Sequence, residues 1–156
     1  MLHHAAHHQA YITNLNALLG TYRTTTNQSD ATLLTKLRFH AGGHLNHALF
    51  WPSLAPSSSS PSTQIASATP KLSSALVSQF GSFDAFVEAF SVSLLGIKGS
   101  GWGWLGVDTK ATLGILQTKG QKIVGERWWP LLGIDMWEQS YYLLYLSEKE
   151  RYVEVV

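Results

Sequence analysis

The chain has 156 residues, of which 45% are hydrophobic and 13% charged, enough apolar material for one compact unit but too short for two independent domains. Eleven basic and ten acidic residues give a net charge of +1 with no basic block, which argues against nucleic-acid binding. The absence of cysteine excludes disulfides and thiolate ligands, so any metal must be bound by nitrogen and oxygen. No apolar run approaches the roughly 18 residues that span a bilayer, and no membrane partner is predicted.

The N-terminal part of the chain has the pattern of a helix. Apolar residues recur at helical intervals from Leu2, which predicts a helix that begins at or near the first residue and ends at Gly20. Residues 21–30 are polar and predict a loop. Because the helical pattern begins so abruptly, we expect that a segment preceding it is missing.

A second helix is predicted over residues 31–51, where the helical spacing of apolar residues resumes. Gly42 and Gly43 are expected to interrupt it, and Pro52 closes it because proline cannot continue a helix. Two antiparallel helices joined by a short loop form a hairpin, so residues 1–52 are predicted to be a first lobe.

The rest of the sequence changes character twice. Residues 53–70 are rich in serine, proline and threonine and are predicted to be a linker. Residues 71–156 are predicted to be a second lobe, with Ser82 as the N-cap of one of its helices. The elements predicted in this lobe are helices over 71–80, 82–95 and 137–147 and strands over 102–107, 113–117 and 131–135. A helical hairpin followed by helices and a small three-stranded antiparallel sheet is an α+β fold.

The seven histidines all lie within the first 47 residues. Residues four apart share one face of a helix, so each predicted helix of the hairpin carries histidines along a face. Imidazole binds Zn, Fe, Cu, Mn and Ni, and the pattern therefore indicates a metal site between the two helices. The stripes are His3, His7 and Tyr11, and His4 and His8, on the first helix, and His40, His44, His47 and Trp51 on the second.

Histidines can also be present without a function. A tag remnant is disfavoured for the N-terminal run because Ala5 and Ala6 interrupt it and the helical pattern continues beyond it. For His4, His8 and His40 the favoured interpretation is a surface position without a role.

Four segments carry longer motifs. They are residues 2–11 (LHHAAHHQAY), 42–51 (GGHLNHALFW), 99–106 (GSGWGWLG) and 135–142 (DMWEQSYY). These segments resemble the iron/manganese superoxide dismutases, specifically the manganese-type enzymes, and occur in the order of that family. The resemblance covers nearly the whole chain and implies a helical hairpin followed by an α+β lobe. Relative to the family, the chain is expected to be short at both ends.

The resemblance implies one ion per chain, Mn or alternatively Fe, bound by His3, His47 and Asp135 and completed by solvent. The fourth ligand of the family is a histidine at the position of Gln139 in this sequence. An amide oxygen is a weaker donor than imidazole, so Gln139 in its place is expected to reduce the activity. We hypothesise that its NH2 group bonds Glu138 of the partner subunit while its oxygen faces the metal.

The surroundings of the ion follow from the same resemblance. The substrate funnel is expected to contain His7 and Tyr11, and Gln121 is expected to be the glutamine that hydrogen-bonds the metal-bound solvent. Gly43 stands where iron-type enzymes often have a glutamine, which favours manganese. The tryptophans expected to wall the cavity are Trp102, Trp104 and Trp137, although their composition alone favours a role in the core.

The implied activity is the conversion of superoxide to oxygen and hydrogen peroxide. The implied assembly is a homodimer or homotetramer, with Glu138 and Tyr142 at the dimer interface. Two alternatives remain open: a non-catalytic relative such as a structural subunit of the mitochondrial ribosome, and a helical-hairpin metal binder without redox chemistry. The sequence carries no recognisable targeting segment; the resemblance suggests the mitochondrial matrix, and the cytoplasm is the alternative.

Overall fold

The computed structural model describes residues 2–55, 69–125 and 127–156. Its N-terminal part is a helical hairpin. A π-helical turn, His3–His8, leads into α1, Gln9–Thr24, and α2 runs from Ala31 to Phe50. The Asp30 carboxylate caps α2 by accepting from the backbone N–H groups of Thr32 at 2.7 Å and Leu33 at 3.0 Å, which fixes where the second helix begins.

The C-terminal part contains both helices and strands. Helix α3 is Pro70–Phe80 and α4 is Phe83–Leu95. The strands are β1, Gly101–Asp108, β2, Leu113–Lys119, and β3, Trp128–Asp135. Helices α5, Glu138–Tyr145, and α6, Lys149–Val155, follow. The predicted α+β fold, with its hairpin and three-stranded antiparallel sheet, is confirmed.

Strand β1 lies at the centre of the sheet, which has the order β2-β1-β3 with both pairings antiparallel. Side chains alternate across a strand, so the sheet separates two cores. On one side, Leu105 belongs to a cluster with residues of α3 to α6. On the other side, Trp102 and Trp104 pack with Phe50 of α2. The second core therefore attaches the hairpin to the sheet.

The predicted ends of several elements are wrong. Helix α1 continues through Gly20 to Thr24, because one glycine in a helix costs only about 1 kcal/mol. Helix α2 passes Gly42 and Gly43 without interruption. Strand β3 begins at Trp128 rather than at residue 131, and it admits Pro130 because it is an edge strand with a register shift opposite Gly106.

The predicted last helix is in fact two helices. Helix α5 ends at Tyr145, and Leu146 adopts a positive φ of 53°, which turns the chain before α6 begins at Lys149. The linker predicted for residues 53–70 lies largely outside the described residues. In the part of the chain that the structure describes, no helix has the length and apolar character to cross a membrane.

Candidate metal centre

Three elements bring one donor atom each to a common point. His3 lies at the start of the π-helical turn, His47 in the last turn of α2, and Asp135 at the end of β3. The Nε2 atom of His3 is 3.1 Å from Nε2 of His47 and 3.1 Å from Oδ2 of Asp135. The third side of this triangle, from His47 Nε2 to Asp135 Oδ2, is 3.6 Å.

The register of the sheet explains why a C-terminal carboxylate reaches a histidine of the hairpin. Asp135 pairs with Trp102 on the central strand. The Trp102 ring meets the His47 ring edge-on, with centroids 5.1 Å apart. Trp102, His47 and Asp135 are all fully buried. The carboxylate and the imidazole are thus held against the same tryptophan.

The hydrogen bonds of His47 determine which of its nitrogens is free. Its Nδ1 lies 2.6 Å from the backbone carbonyl of Gly43. A carbonyl only accepts, so Nδ1–H donates and Nε2 carries the lone pair. Burial lowers the pKa of His47 to about 4, which keeps the ring neutral at neutral pH. A neutral imidazole with a fixed tautomer is a competent metal ligand.

Asp135 presents one satisfied and one unsatisfied oxygen. Its Oδ1 accepts from the backbone N–H of Trp137 at 2.9 Å. Its Oδ2 is buried and has no hydrogen-bond partner among the described residues, although it lies 3.1 Å from Nε2 of His3. Burial raises the pKa of the Asp135 carboxyl, whereas a cation beside it would favour the ionised form.

This arrangement fits a metal ion. Atoms bound to one ion at about 2.1 Å and separated by about 90–110° lie roughly 3.0–3.4 Å apart, close to the observed separations. His3, His47 and Asp135 are the only group of three or more histidine, acidic or cysteine side chains among the described residues with this convergence. A buried carboxylate oxygen without a donor is the type of group that a bound cation satisfies.

Beside the donor atoms, Gln121 is held by three hydrogen bonds. Its buried side-chain oxygen accepts from Trp102 Nε1 and from Asn46 Nδ2, each at 3.1 Å. Two donors to the oxygen fix the orientation of the amide, so its Nε2 donates to the Tyr11 hydroxyl at 3.0 Å. The Tyr11 oxygen therefore acts as an acceptor here, and its own proton is free to point elsewhere. Burial raises the pKa of Tyr11, which keeps that proton on the oxygen at neutral pH.

A small pocket of about 200 Å³ opens next to Tyr11. The predicted funnel residues His7 and Tyr11 both line it, together with His40 and Gln139. The Nδ1 atoms of His7 and His40 are buried and have no partner among the described residues. A pocket lined by a tyrosine, two histidines and the two amide residues Asn14 and Gln139 suits a small polar substrate.

Of the three histidines expected at the surface, His8 is buried and His40 is half-buried. His8 is 6% exposed; its Nδ1 accepts from Trp51 Nε1 at 2.9 Å, and its Nε2 lies 2.9 Å from His44 Nδ1. The His8 ring also stacks on His47, with an interplanar angle of 16°. His40 is half-buried in the small pocket, while His4 is exposed as expected. The prediction fails because it considers one helix, whereas the second helix covers His8.

The other predicted residues lie around this centre. Trp104 is fully buried and stacks on Trp102 with centroids 5.4 Å apart. Trp137 is half-buried and donates from Nε1 to the carbonyl of Gly120 at 3.2 Å. Glu138 and Tyr142, the predicted interface residues, are both exposed; their place in an interface stays a prediction.

Asn46 was missed by sequence reasoning. It is 1% exposed and orients the Gln121 amide. Its position directly before His47 gives it no periodic signal, because adjacent residues in a helix point in different directions. The sequence offers one cue, which is that a polar residue lies next to the predicted ligand His47.

The convergence of histidine and carboxylate donors at the junction of a helical hairpin and a small sheet is typical of a mononuclear metal centre. Two family descriptions match the chain: "Iron/manganese superoxide dismutases, alpha-hairpin domain" over residues 1–55 and "Iron/manganese superoxide dismutases, C-terminal domain" over residues 68–156. The chain belongs to the iron/manganese superoxide dismutase family.

Individual relatives agree with this assignment. The chain is 49% identical to a mitochondrial manganese superoxide dismutase of Penicillium chrysogenum over 98% of its own length and 75% of the relative. A mitochondrial manganese superoxide dismutase of Aspergillus oryzae is 46% identical over 98% of the chain and 74% of the relative. An iron superoxide dismutase of Tetrahymena pyriformis is 40% identical over 99% of the chain and 81% of the relative.

Proposed function

We propose that the chain is a superoxide dismutase, which converts two superoxide anions and two protons into oxygen and hydrogen peroxide. The observation that carries this proposal is the convergence of His3 Nε2, His47 Nε2 and Asp135 Oδ2 within 4.8 Å of one another. Family membership supplies the reaction. A non-catalytic structural role is not favoured, because the curated relatives are named as dismutases.

His3, His47 and Asp135 are the residues that would hold the ion. A bound Mn or Fe ion supplies the one-electron redox chemistry of both half-reactions. The Asp135 carboxylate would offset one positive charge of such an ion. The bond from His47 Nδ1–H to the Gly43 carbonyl keeps the lone pair of Nε2 directed at the centre.

Gln121 and Tyr11 position the proton that the reaction consumes, and Tyr11 also lines the pocket through which the substrate enters. The Gln121 amide donates to Tyr11, so the Tyr11 hydroxyl proton is available to a superoxide anion that enters the small pocket. The fully buried Trp102 donates to the side-chain oxygen of Gln121 and so orients the amide that donates to Tyr11. His7 and Tyr11 line the entrance, in keeping with the funnel that the family resemblance implies.

Manganese is the proposed metal, with iron as the alternative. A Cβ atom at Gly43 would lie 2.3 Å from Cδ1 of Tyr11, so the helix has no room there for the glutamine that iron-type enzymes often carry. The Gln121 amide, which reaches the site from the β2–β3 connection, is the glutamine available at the centre.

Gln139 is proposed to occupy the place of the fourth ligand. It lines the small pocket with His7 and Tyr11, and Tyr11 packs on the His47 ring with centroids 5.4 Å apart, which supports this place for Gln139. The activity is expected to be reduced, because an amide oxygen binds a metal more weakly than an imidazole nitrogen does.

The assembly and the location are proposals of the same kind. Glu138 and Tyr142 are exposed on α5, the helix that follows β3. Their exposure supports a homodimer, or a homotetramer built from it, with this face of α5 at the interface. The names of the curated relatives support a mitochondrial location.

The decisive experiment compares metal content with superoxide consumption in the purified full chain, Gln139→His and Gln117→His. Gln117 is an exposed glutamine on β2 and serves as the matched control. The manganese-loaded chain is expected to consume superoxide faster than the same concentration of free manganese. Gln139→His is expected to raise the rate about 10- to 100-fold, and Gln117→His to leave it unchanged. A chain that holds stoichiometric manganese without exceeding free manganese would refute the proposal.

A further inference from the structure

A second and larger concavity lies along α2, and its Phe39 ring contacts the rings of Tyr11 and His40 in the small pocket, with centroids 5.8 and 5.3 Å apart. It is a groove of about 720 Å³ between α2 and the segment that follows β2. None of its lining residues lines the small pocket. Its size falls within the range of about 300–1,000 Å³ that is usual for small-molecule sites.

The floor of this groove is apolar. Phe39 and Leu45 contribute from α2 and Ile123 from the opposite wall, and these side chains are 40%, 47% and 54% exposed. Solvent contact of three large apolar side chains in one concavity is unfavourable, and an apolar group that covered them would remove it.

The rim of the groove carries positive charge on both walls. Arg38 extends from α2, and Lys119 and Lys122 extend from the end of β2 and the turn after it. Among the described residues, no acidic side chain lines the groove, and none of these cations has an ion-pair partner. Three cations facing one apolar floor are notable in a chain whose net charge is only +1.

We propose that this groove is a binding site for a small amphipathic anion, with an alkyl or aryl body on the apolar floor and a carboxylate or sulfonate-type group among Arg38, Lys119 and Lys122. We infer an anionic group because none of the three cations has a counter-ion among the described residues. We infer an apolar body because a small inorganic anion would leave Phe39, Leu45 and Ile123 exposed to water. A neutral apolar ligand would leave the three cations unused.

The groove is separate from the metal centre but shares a wall with it. Gly120 and Gln121 line the groove, and the buried Gln121 side chain donates to the Tyr11 hydroxyl of the small pocket. A Cβ atom at Gly42 would lie 1.9 Å from the Gln121 carbonyl oxygen, so α2 holds this backbone closely. A ligand in the groove would therefore contact the segment that positions Gln121 without entering the small pocket.

The test uses two fluorescent probes that differ only by the anionic group, on the metal-loaded full chain. They are 1-anilinonaphthalene-8-sulfonate and its neutral parent N-phenyl-1-naphthylamine. The sulfonate is expected to bind saturably and at least tenfold more tightly than the neutral probe, a difference of about 1.4 kcal/mol. Raising the salt concentration is expected to lower the affinity of the sulfonate probe and to leave that of the neutral probe unchanged. Equal affinity of the two probes would overturn the proposal.

Matched triple variants locate the site. Arg38→Gln/Lys119→Gln/Lys122→Gln is expected to weaken sulfonate binding at least tenfold. Lys36→Gln/Lys71→Gln/Lys98→Gln removes the same charge from exposed positions outside the groove and is expected to change the affinity less than twofold. An equal loss in both variants would show a general effect of net charge and refute the groove as the site.

Two further results complete the test. Ile123→Ser, which keeps all three cations, is expected to lower the affinity for the sulfonate probe several-fold. Vesicles of anionic lipid that bind the chain while the dissolved sulfonate does not would show that the surface takes a membrane instead, and would also refute the proposal. Circular dichroism of each variant verifies that it is folded as the parent chain is.

Discussion

The hairpin and the sheet lobe differ in what they bury. The sheet lobe has a core of its own, in which aliphatic and aromatic side chains from α3 to α6 and from the sheet pack together. The buried residues of α1 and α2 include Tyr11, Asn46, His47 and Phe50 along with two glycines. Phe50 packs on Trp102 and Trp104 of the sheet, and Gly42 is approached closely by the Gln121 backbone after β2. The hairpin therefore depends for its burial on the junction where the donor atoms of His3, His47 and Asp135 meet, and the proposed ion-binding site is also the place where the hairpin is attached.

The largest expected effect comes from the carboxylate at that junction. Asp135→Asn keeps the shape of the side chain but removes its charge, and we expect loss of bound manganese and a fall in superoxide consumption of more than about 100-fold. Metal analysis and a superoxide assay measure both. Asp84→Asn, an exposed position on α4, should leave both unchanged. A variant with full metal content and full activity would exclude Asp135 as a ligand.

Removal of the metal should distinguish the two regions directly. An ion that binds only the folded junction stabilises it by about 2.7 kcal/mol at a concentration 100 times its dissociation constant. We expect backbone amides of α1 and α2 to exchange faster with deuterium in the metal-free chain, while those of α4 and β1 change little. Mass spectrometry of peptide fragments resolves the two regions. Equal acceleration in both would mean that the hairpin is not specially dependent on the site.

Gln121 tests whether the hydrogen-bond network serves the chemistry or only the fold. Gln121→Ala removes the donor to Tyr11 and leaves Asn46 and Trp102 without their common acceptor. We expect the rate to fall about 10- to 100-fold while manganese remains bound. Gln28→Ala, in the exposed loop between the hairpin helices, is the control. A proportional loss of metal and rate would instead assign Gln121 a purely structural role.

The sequence predicts the α+β fold, and the family resemblance singles out His3, His47 and Asp135, whose donor atoms converge in the structure. Periodicity reveals helices and strands, and the spacing of His3, His7 and Tyr11 indicates a shared face before any contact is known. The burial of His8 and the role of Asn46 depend on which side of α1 and α2 meets the rest of the chain. That choice is made by packing between elements, which a linear pattern does not contain.

Gly42 and Gly43 also show that a linear pattern does not contain the packing between elements. Read locally, two adjacent glycines predict a break in α2. In the fold they are positions of close approach: the Gln121 carbonyl lies over Gly42, and the Tyr11 ring lies over Gly43. The glycines are present for the neighbours of the helix rather than for its backbone, and the helix continues because packing on both sides stabilises it.

The smallest expected effect compares a glycine at the junction with one on the open side of the hairpin. A Cβ at Gly43 would lie 2.3 Å from the Tyr11 ring, whereas a Cβ at Gly20 would meet nothing within 4 Å. Gly43→Ala is expected to destabilise the fold by about 1–3 kcal/mol through overpacking, and Gly20→Ala to stabilise it by about 0.5–1 kcal/mol through helix propensity. Urea denaturation of the metal-free proteins measures both. Changes of opposite sign in the free energy of unfolding would support the junction as the place where the hairpin is held. If Gly43→Ala also stabilised the chain, the Tyr11 ring would have room to move. The packing argument that excludes a glutamine at Gly43 and favours manganese would then fail as well.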